Sequence, residues 1–159
     1  YLSKNIIKTV IDADALTILK DVDWELLKKN NFILTPHVGE FRTLFPKLEY
    51  KEDLETRIKV VKQAAIISQQ IVVLKGYQTV VSDGSFVYIN STGNPSMATA
   101  GVGDVLTGII VSLIGQQFSL FEAACLGVYI HGKAGDRANE DLSISLTASD
   151  IIDYLQYVL

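Results

Sequence analysis

Short strand-like apolar runs alternate along the chain with stretches of helical periodicity, and this alternation limits the possible folds more than any other feature. Residues 8–16, KTVIDADAL, have the pattern of a buried strand that ends in two acids, and residues 31–36, NFILTP, that of a second strand stopped by Pro36. Between residues 52 and 70, apolar residues recur at helical spacing and predict an amphipathic helix. The alternation predicts a three-layer α/β sandwich with a mainly parallel sheet.

The clearest strand pattern lies in residues 71–90, IVVLKGYQTVVSDGSFVYIN, where β-branched and aromatic residues flank a turn sequence. This pattern predicts a hairpin with Asp83-Gly84 as its two-residue turn. The predicted strands lie at about 71–75, 78–82 and 85–90.

The last third of the chain predicts helices near 103–115 and 119–138 and a final one within residues 146–159. The second of these is rich in alanine and glycine, which allow close packing against a neighbouring element. The final helix opens with Thr147 and Asp150 at capping-box spacing.

Composition and charge exclude several classes of protein. A chain of 159 residues, 48% of them hydrophobic, fits one compact domain with a proper core. The net charge of −4 offers no general basic field for a phosphate backbone, so we expect no nucleic-acid partner. The longest apolar run, residues 105–115, is shorter than the roughly 20 residues needed to cross a bilayer, so we expect no membrane partner and a cytoplasmic location.

Two reactive residue types in the predicted helix at 119–138 are interpreted as structural. Cys125 is the single cysteine, which excludes an internal disulfide, and its apolar neighbours offer nothing that would lower the pKa of a thiol. His131 lies within an apolar stretch and is interpreted as a core histidine.

Residues 93–108, GNPSMATAGVGDVLTG, place glycines directly before an apolar helix. Glycines at a helix start let the backbone approach a ligand, and the unpaired amides of the first turn attract anions such as phosphate. The stretch is neither of the two familiar phosphate motifs. No Gly-Lys-Ser/Thr follows, and Leu106 stands where a dinucleotide fingerprint needs its third glycine.

Asp104, at the start of that helix, has two open interpretations. It could act as a general base beside a bound phosphate and take the proton of an attacking hydroxyl. It could equally cap the helix.

Residues 34–41, LTPHVGEF, are a second candidate site just past a strand. Glu40 could orient a hydrated magnesium ion, which usually keeps several waters, while His37 could contact a substrate. The structural alternative is a hydrogen-bonded loop histidine followed by an acid favoured by the helix dipole.

Two further strand ends carry charged residues with open roles. Lys75 and Gly76 could meet a nucleotide phosphate, or Lys75 could be an ordinary solvated charge. The acids of DADAL, residues 12–16, could hold a metal or simply end a strand and cap a helix.

Six segments in this order resemble the ADP- or ATP-dependent NAD(P)H-hydrate dehydratases of the ribokinase-like superfamily along nearly the whole chain. They are VIDADAL, ILTPHVGEF, VVLKGYQTVVSDG, GNPSMATAGVGDVLTGII, GVYIHGKAGDRA and LTASDII. The resemblance implies a ribokinase-like fold and a repair reaction. Hydrated NADH or NADPH would be dehydrated at the expense of ADP or ATP, through phosphorylation of the ring hydroxyl and loss of phosphate, with Mg²⁺ as cofactor.

The resemblance also implies roles for particular residues. Asp104 would be the base and would contact the hydrated ring. Gly101 and Gly103 would donate hydrogen bonds to the transferring phosphoryl group. His37 would bind the hydrated cofactor, and Glu40 would act on magnesium through water. The nucleotide would be lined by Lys75, Gly76, Tyr77, Gln78, Thr79, Asn94, Pro95, Ser96, Met97, Ala98, Thr99, Ala100, Gly101, Val102 and Gly103.

The chain departs from the family pattern at two small positions and in length. Ala100-Gly101 stands where Gly-Gly is frequent, and Val38 where proline is frequent. Family members carry a substantial segment before the DADAL strand, so we expect residues 1–159 to be one partial domain, the C-terminal part of a homo-oligomeric enzyme. The missing N-terminal segment would come from a longer product, which could also carry an upstream epimerase domain as some relatives do, or from another chain.

Two rival functions remain open at this level. One is a ribokinase-like kinase that phosphorylates a small alcohol, such as a vitamin precursor or a sugar, with the same Asp104. The other is a catalytically silent nucleotide-binding module.

Overall fold

Five strands form one sheet in which they lie in the order β1-β2-β3-β4-β5. The fold is that of a computed structural model, which describes residues 7–27, 31–142 and 146–159. β1 pairs with β2 and β2 with β3 in parallel, whereas β3–β4 and β4–β5 are antiparallel. The sheet is therefore mixed, because the hairpin adds two antiparallel pairings to the parallel strands. The strands are β1 Thr9–Ile11, β2 Phe32–Leu34, β3 Ile71–Leu74, β4 Val80–Ser82 and β5 Val87–Ile89.

The hairpin turn between β4 and β5 is wider than its sequence predicts. Ser82 pairs with Val87, which leaves four residues in the loop, so the expected two-residue turn at Asp83-Gly84 is wrong. The Asp83 carboxylate accepts hydrogen bonds from the amides of Ser85 (2.8 Å) and Phe86 (2.7 Å). This side chain closes the wider turn by replacing backbone partners, as Asp commonly does in turns.

Six α-helices accompany the sheet in the part of the chain that the structure describes. They are α1 Asp14–Ile18, α2 Val38–Leu44, α3 Leu54–Ser68, α4 Val102–Gly115, α5 Leu120–Leu142 and α6 Ala148–Tyr154. Short 3₁₀ turns occur at Leu19–Asp21, Trp24–Leu26, Pro95–Met97 and Leu155–Tyr157. α6 begins with the expected capping box of Thr147 and Asp150. Within the described ranges, no helix is both long and apolar enough to cross a membrane.

The sheet is buried between two helical layers, which confirms the three-layer α/β architecture. Phe32, Leu34 and Leu74 pack with α1, α2 and α3 on one face. Ile33 and Val73 pack with α4 and α5 on the other. Because successive strand residues point to opposite faces, a strand covered on both sides is apolar throughout, as β3 is.

Close packing between α4 and α5 depends on a small residue. A Cβ at Gly127 of α5 would lie 2.6 Å from Cγ1 of Ile110 on α4, so only glycine fits at this crossing. Cys125 is half-buried nearby, and burial, followed by the neighbouring charges of Asp83 and Glu122, raises its pKa to about 12. The thiol is therefore protonated at neutral pH and inert, as the sequence indicates.

Candidate active site

The carboxyl ends of the three parallel strands meet at one edge of the sheet. The Thr35 amide donates to the Ile11 carbonyl (3.1 Å), and the Lys75 amide donates to the Pro36 carbonyl (2.9 Å). The residues that follow β1, β2 and β3 are thereby held side by side. This edge is where open α/β sheets bind ligands.

Asp12 and Lys75 form a shielded ion pair at this edge. Lys75 Nζ lies 2.6 Å from Asp12 Oδ1, and the Thr107 hydroxyl donates to Asp12 Oδ2 at 3.0 Å. The side chains are only 20% and 12% exposed, so the lysine is not an ordinary solvated charge. Asp12 does not cap α1, which has no side-chain cap. The pair ties β1, β3 and α4 together.

The pair also sets the protonation of Asp12. Burial by itself raises the pKa of Asp12, but the hydrogen bond and charge of Lys75, with smaller contributions from the Ala13 amide and Thr107, hold it below the usual value. The carboxylate therefore stays ionised at neutral pH. An ionised carboxylate and an ammonium at hydrogen-bond distance form the stronger, charge-assisted kind of hydrogen bond.

The first turn of α4 lies against this ion pair. A Cβ added at Gly103 would be 3.5 Å from Lys75 Nζ and 3.9 Å from Asp12 Oδ2. Gly101, before the helix, has a φ of +83°, and its Cβ would come within 3.2 Å of Ala148. Glycine at 101 thus suits the backbone conformation, whereas glycine at 103 leaves space beside an ammonium group at a helix N-terminus.

Asp104 is exposed in the first turn of α4 and does not cap it. Within residues 7–27, 31–142 and 146–159, its carboxylate has no hydrogen bond or ion pair. It helps to line a mostly apolar groove of about 540 Å³ between α4 and α6. The acid is therefore available to a ligand, which is what a general base requires.

His37 and Glu40 form a capping box at the start of α2. His37 Nδ1 accepts from the amides of Gly39 (2.9 Å) and Glu40 (3.2 Å), and Glu40 Oε2 accepts from the His37 amide (2.8 Å). The ring proton is therefore on Nε2, which lies 3.3 Å from Glu40 Oε1. These contacts stay within the first turn of α2, so they do not join His37 to Asp104.

The loop of residues 75–79, between β3 and β4, has a fixed base and an exposed tip. The Thr79 hydroxyl donates to the Gly76 carbonyl (2.9 Å), and Gly76 has a φ of +138°. Beneath the loop lies the buried Arg57, which donates to the Leu74 carbonyl. Tyr77 at the tip is 79% exposed. The loop is thus held in a defined shape by these internal contacts.

The loop of residues 92–97 is held against α5. Asn94 caps the turn at Pro95–Met97 by accepting from the Ser96 amide (3.0 Å). The Asp136 carboxylate accepts from the Gly93 amide (2.9 Å) and from Asn94 Nδ2 (3.0 Å). Sequence reasoning missed Asp136. The signal available was an acid directly after the glycines of GKAGD, where small residues on a helix indicate a close neighbour.

His131 is a buried core histidine, as the sequence predicts. Its Nε2 lies 3.0 Å from the carbonyl of Val102 in the first turn of α4. Burial lowers its pKa to about 4, and the bond to the Val102 carbonyl only partly offsets this. The neutral ring therefore donates to the start of the helix that carries Asp104.

The shifted pKa of His131 predicts a pH dependence of stability. Between about pH 6.5 and 4, the unfolded chain binds a proton at this ring that the folded chain does not, so the free energy of unfolding falls as pH falls through this window. His131→Gln keeps a donor and cannot titrate. We expect urea denaturation to show a shallower pH slope in this variant, by up to about 3 kcal/mol across the window. Equal slopes would contradict the assignment.

Magnesium would have few protein ligands at this site. Among the described parts of the chain, no group of three or more His, Cys, Asp or Glu side chains could hold a metal ion. Glu40 would supply one carboxylate, because its side chain is 16% exposed and its oxygens keep lone pairs beyond the capping bonds. Such a site fits Mg²⁺ only where water and phosphate oxygens supply most ligands, which is its usual mode.

Comparison with known proteins gives a consistent result. The family described as NAD(P)H-hydrate dehydratase matches residues 2–157. The chain is 44% identical over 158 residues to the bifunctional NAD(P)H-hydrate repair enzyme Nnr of Moorella thermoacetica, covering 96% of this chain and 29% of that protein. It is 42% identical over 140 residues to the ADP-dependent (S)-NAD(P)H-hydrate dehydratase of Neisseria meningitidis serogroup B, covering 86% and 47%. The chain spans less than half the length of these relatives.

Solved structures share the fold. An ADP/ATP-dependent NAD(P)H-hydrate dehydratase from Bacillus subtilis, co-crystallised with ATP/Mg²⁺, superposes with a TM-score of 0.81 at 32% identity, covering 94% of this chain and 53% of that one. A ribokinase-like superfamily protein from Enterococcus faecalis superposes with a TM-score of 0.76 at 26% identity, covering 94% and 51%. The three-layer architecture is therefore ribokinase-like.

Proposed function

This chain belongs to the NAD(P)H-hydrate dehydratase family, and we propose that it contributes to the repair of hydrated NADH or NADPH with ADP or ATP as phosphoryl donor. One observation carries the proposal. At the start of α4, the space beside Gly103 borders the Lys75 ammonium, and the next residue is Asp104, whose carboxylate makes no hydrogen bond to the described residues. A phosphoryl acceptor site needs these three parts: backbone and cationic groups for the phosphate, and a base for the hydroxyl.

The chemistry assigned to these residues begins with a proton transfer. Asp104 takes the proton of the ring hydroxyl as its oxygen attacks the terminal phosphorus, and the bond to the nucleotide breaks, releasing AMP from ADP or ADP from ATP. Gly101 and Gly103 provide the backbone donors that stabilise the charge on the phosphoryl oxygens. The phosphorylated ring then loses phosphate and a ring proton, which restores the double bond of the reduced nicotinamide.

The nucleotide is assigned to the two loops beside this helix start. Residues 75–79 and 94–103 form its lining, and the defined shapes of the loops at Gly76 and Asn94 support the assignment. When bound, Mg²⁺ would neutralise charge on the phosphates. Glu40, acting through water, is the residue we assign to hold it.

His37 is assigned to the hydrated cofactor, and its capping role calls for a matched pair of variants. His37→Asn keeps a strong N-cap and removes Nε2, whereas His37→Ala removes both. We expect His37→Asn to keep the melting temperature and to raise KM for the hydrated cofactor about tenfold, the loss of one hydrogen bond, with the Kd for ADP unchanged. If His37→Asn binds both ligands normally and His37→Ala weakens both equally, the role is purely structural.

The proposed reaction is tested by its product. The chain is incubated with NADH hydrate, Mg²⁺ and either ADP or ATP, and the return of near-ultraviolet absorbance is followed. Absorbance that returns only with nucleotide supports the proposal and identifies the donor. A stable phosphorylated alcohol would instead establish the kinase. ADP binding without any turnover would support the silent nucleotide-binding module.

The setting of the reaction is also part of the proposal. We assign residues 1–159 to one part of a ribokinase-like domain, as the half-length match to solved relatives supports. Exposed apolar side chains on α4 and α6, such as Val111 and Ile152, support assembly into a homo-oligomer. The proposed location is the cytoplasm.

A further inference from the structure

The segment HGKAGD of α5, residues 131–136, has no part in the proposed reaction but lies against its nucleotide loop. A Cβ at Gly132 would lie 2.7 Å from the Thr92 carbonyl carbon and 2.9 Å from the Gly93 nitrogen. A Cβ at Gly135 would lie 2.8 Å from Met97 Cγ. The two glycines therefore let residues 92–97 lie directly on the backbone of α5.

Asp136 joins this loop to α5 with both of its carboxylate oxygens. Oδ2 accepts from the Gly93 amide at 2.9 Å, and Oδ1 accepts from Asn94 Nδ2 at 3.0 Å. Asn94 Nδ2 also donates to the Gly135 carbonyl at 3.0 Å, which leaves its oxygen to accept from the Ser96 amide. The carboxylate thus fixes the orientation of the amide that caps the turn at Pro95–Met97.

The pairing of Asp136 is entirely with the loop. In the described parts of the chain, no lysine, arginine or histidine lies within ion-pair distance of its carboxylate. Hydrogen bonds to an ionised acceptor are stronger than those between neutral groups. The negative charge of Asp136 is therefore used to order the loop.

We propose that Asp136 is a positioning residue for nucleotide binding: it holds residues 93–97 in the conformation that receives the nucleotide and does not touch the nucleotide itself. The inference rests on the assignment of this loop to the nucleotide. It adds to the proposed site a residue on α5, whereas Asp104 lies on α4, and this residue is 43 positions along the chain from Gly93.

Replacing the carboxylate by an amide tests this geometry with little change of volume. The carboxylate accepts from Gly93 and from Asn94 with different oxygens, and asparagine keeps only one of these two acceptor positions, so in the same orientation it loses one of the two bonds. If its nitrogen faces Asn94 Nδ2, two donors oppose each other. If Asn94 rotates its amide to escape, it loses the bonds to Gly135 and Ser96.

We expect Asp136→Asn to raise the Kd for ADP, measured by calorimetry with Mg²⁺, about tenfold or more. KM for the hydrated cofactor should stay unchanged, and amide hydrogen exchange should rise in residues 92–97. Glu140→Gln is the matched control, because this acid is one turn further along α5, is exposed, and pairs with Arg137 rather than with the loop. Asp136→Ser, which is smaller and keeps one acceptor, guards against a folding defect in a single variant.

Each outcome decides the inference. If both Asp136 variants bind ADP like the unaltered chain, the inference is overturned even where their melting temperatures fall, and the proposed function stands. If the unaltered chain binds no ADP, the nucleotide assignment itself is overturned and this inference with it. An equal loss for ADP and for the hydrated cofactor would make Asp136 a general structural residue, which also overturns it.

Discussion

Asp104→Asn is expected to lower kcat by about 100- to 10,000-fold, the usual contribution of a general base, while the Kd for ADP stays unchanged. The carboxylate is exposed at the start of α4 and makes no hydrogen bond to the residues that the structure describes, so the amide should leave the structure intact. The amide cannot accept the hydroxyl proton. Turnover is measured by the return of nicotinamide absorbance and nucleotide affinity by calorimetry.

The matched control for this variant is Asp153→Asn on α6. Asp153 is exposed and does not line the groove beside Asp104. It therefore reports the effect of removing one surface charge. If Asp104→Asn retains turnover comparable to that of the control, Asp104 is not the base. If it loses ADP affinity as well, the acid acts in binding.

Gly103→Val is expected to weaken ADP binding and to lower nucleotide-dependent kcat by about 100-fold or more, because the valine side chain keeps the phosphoryl group from the backbone donors that would stabilise its charge. The nearest atoms to a Cβ at this position are Lys75 Nζ at 3.5 Å and Asp12 Oδ2 at 3.9 Å, which are ordinary contacts. The fold therefore has room for a Cβ there. What the side chain fills is the space assigned to the phosphoryl group.

A control at the other end of the same helix separates the two effects. A Cβ at Gly115 meets no atom within 4 Å, so Gly115→Val makes the same chemical change in open space. We expect similar melting temperatures for Gly103→Val and Gly115→Val and loss of ADP binding only in the former. Undiminished ADP affinity and turnover in Gly103→Val would refute the anion site.

The secondary structure could be predicted where periodicity carries it. The strands at 71–74 and 80–82, the long helices α3, α4 and α5 and the capping box of α6 follow from local patterns. The hairpin width did not, because the Asp83 side chain bonds two amides and so selects a four-residue loop. α2 is indicated only by the structural alternative for Glu40, because it has seven residues and begins with a histidine cap, which is outside the usual set.

Some residues of the candidate site could be predicted from local sequence patterns and others could not. Local patterns indicate Gly101, Gly103 and Asp104, because the anion-binding amides and the acid lie within one helix turn. The Asp12–Lys75 pair spans 63 positions and the Asp136–Gly93 bond spans 43. Both pairings depend on how the sheet and helices bring distant residues together. A local pattern can mark one member of such a pair, as GKAGD marks Asp136, but it does not identify the distant partner.

The contacts of α5 have a consequence for how the site opens. Through His131 this helix holds the first turn of α4, and through Asp136 it holds the loop of residues 92–97. Local unfolding of α5 would release the first turn of α4 and the loop of residues 92–97 together, so these two segments belong to one cooperative unit. In the proposed reaction, a nucleotide that orders residues 92–97 would thereby also stabilise the helix start that presents Asp104. Binding of the donor and positioning of the base would then be coupled through α5, a helix to which the proposal assigns no contact with either reactant.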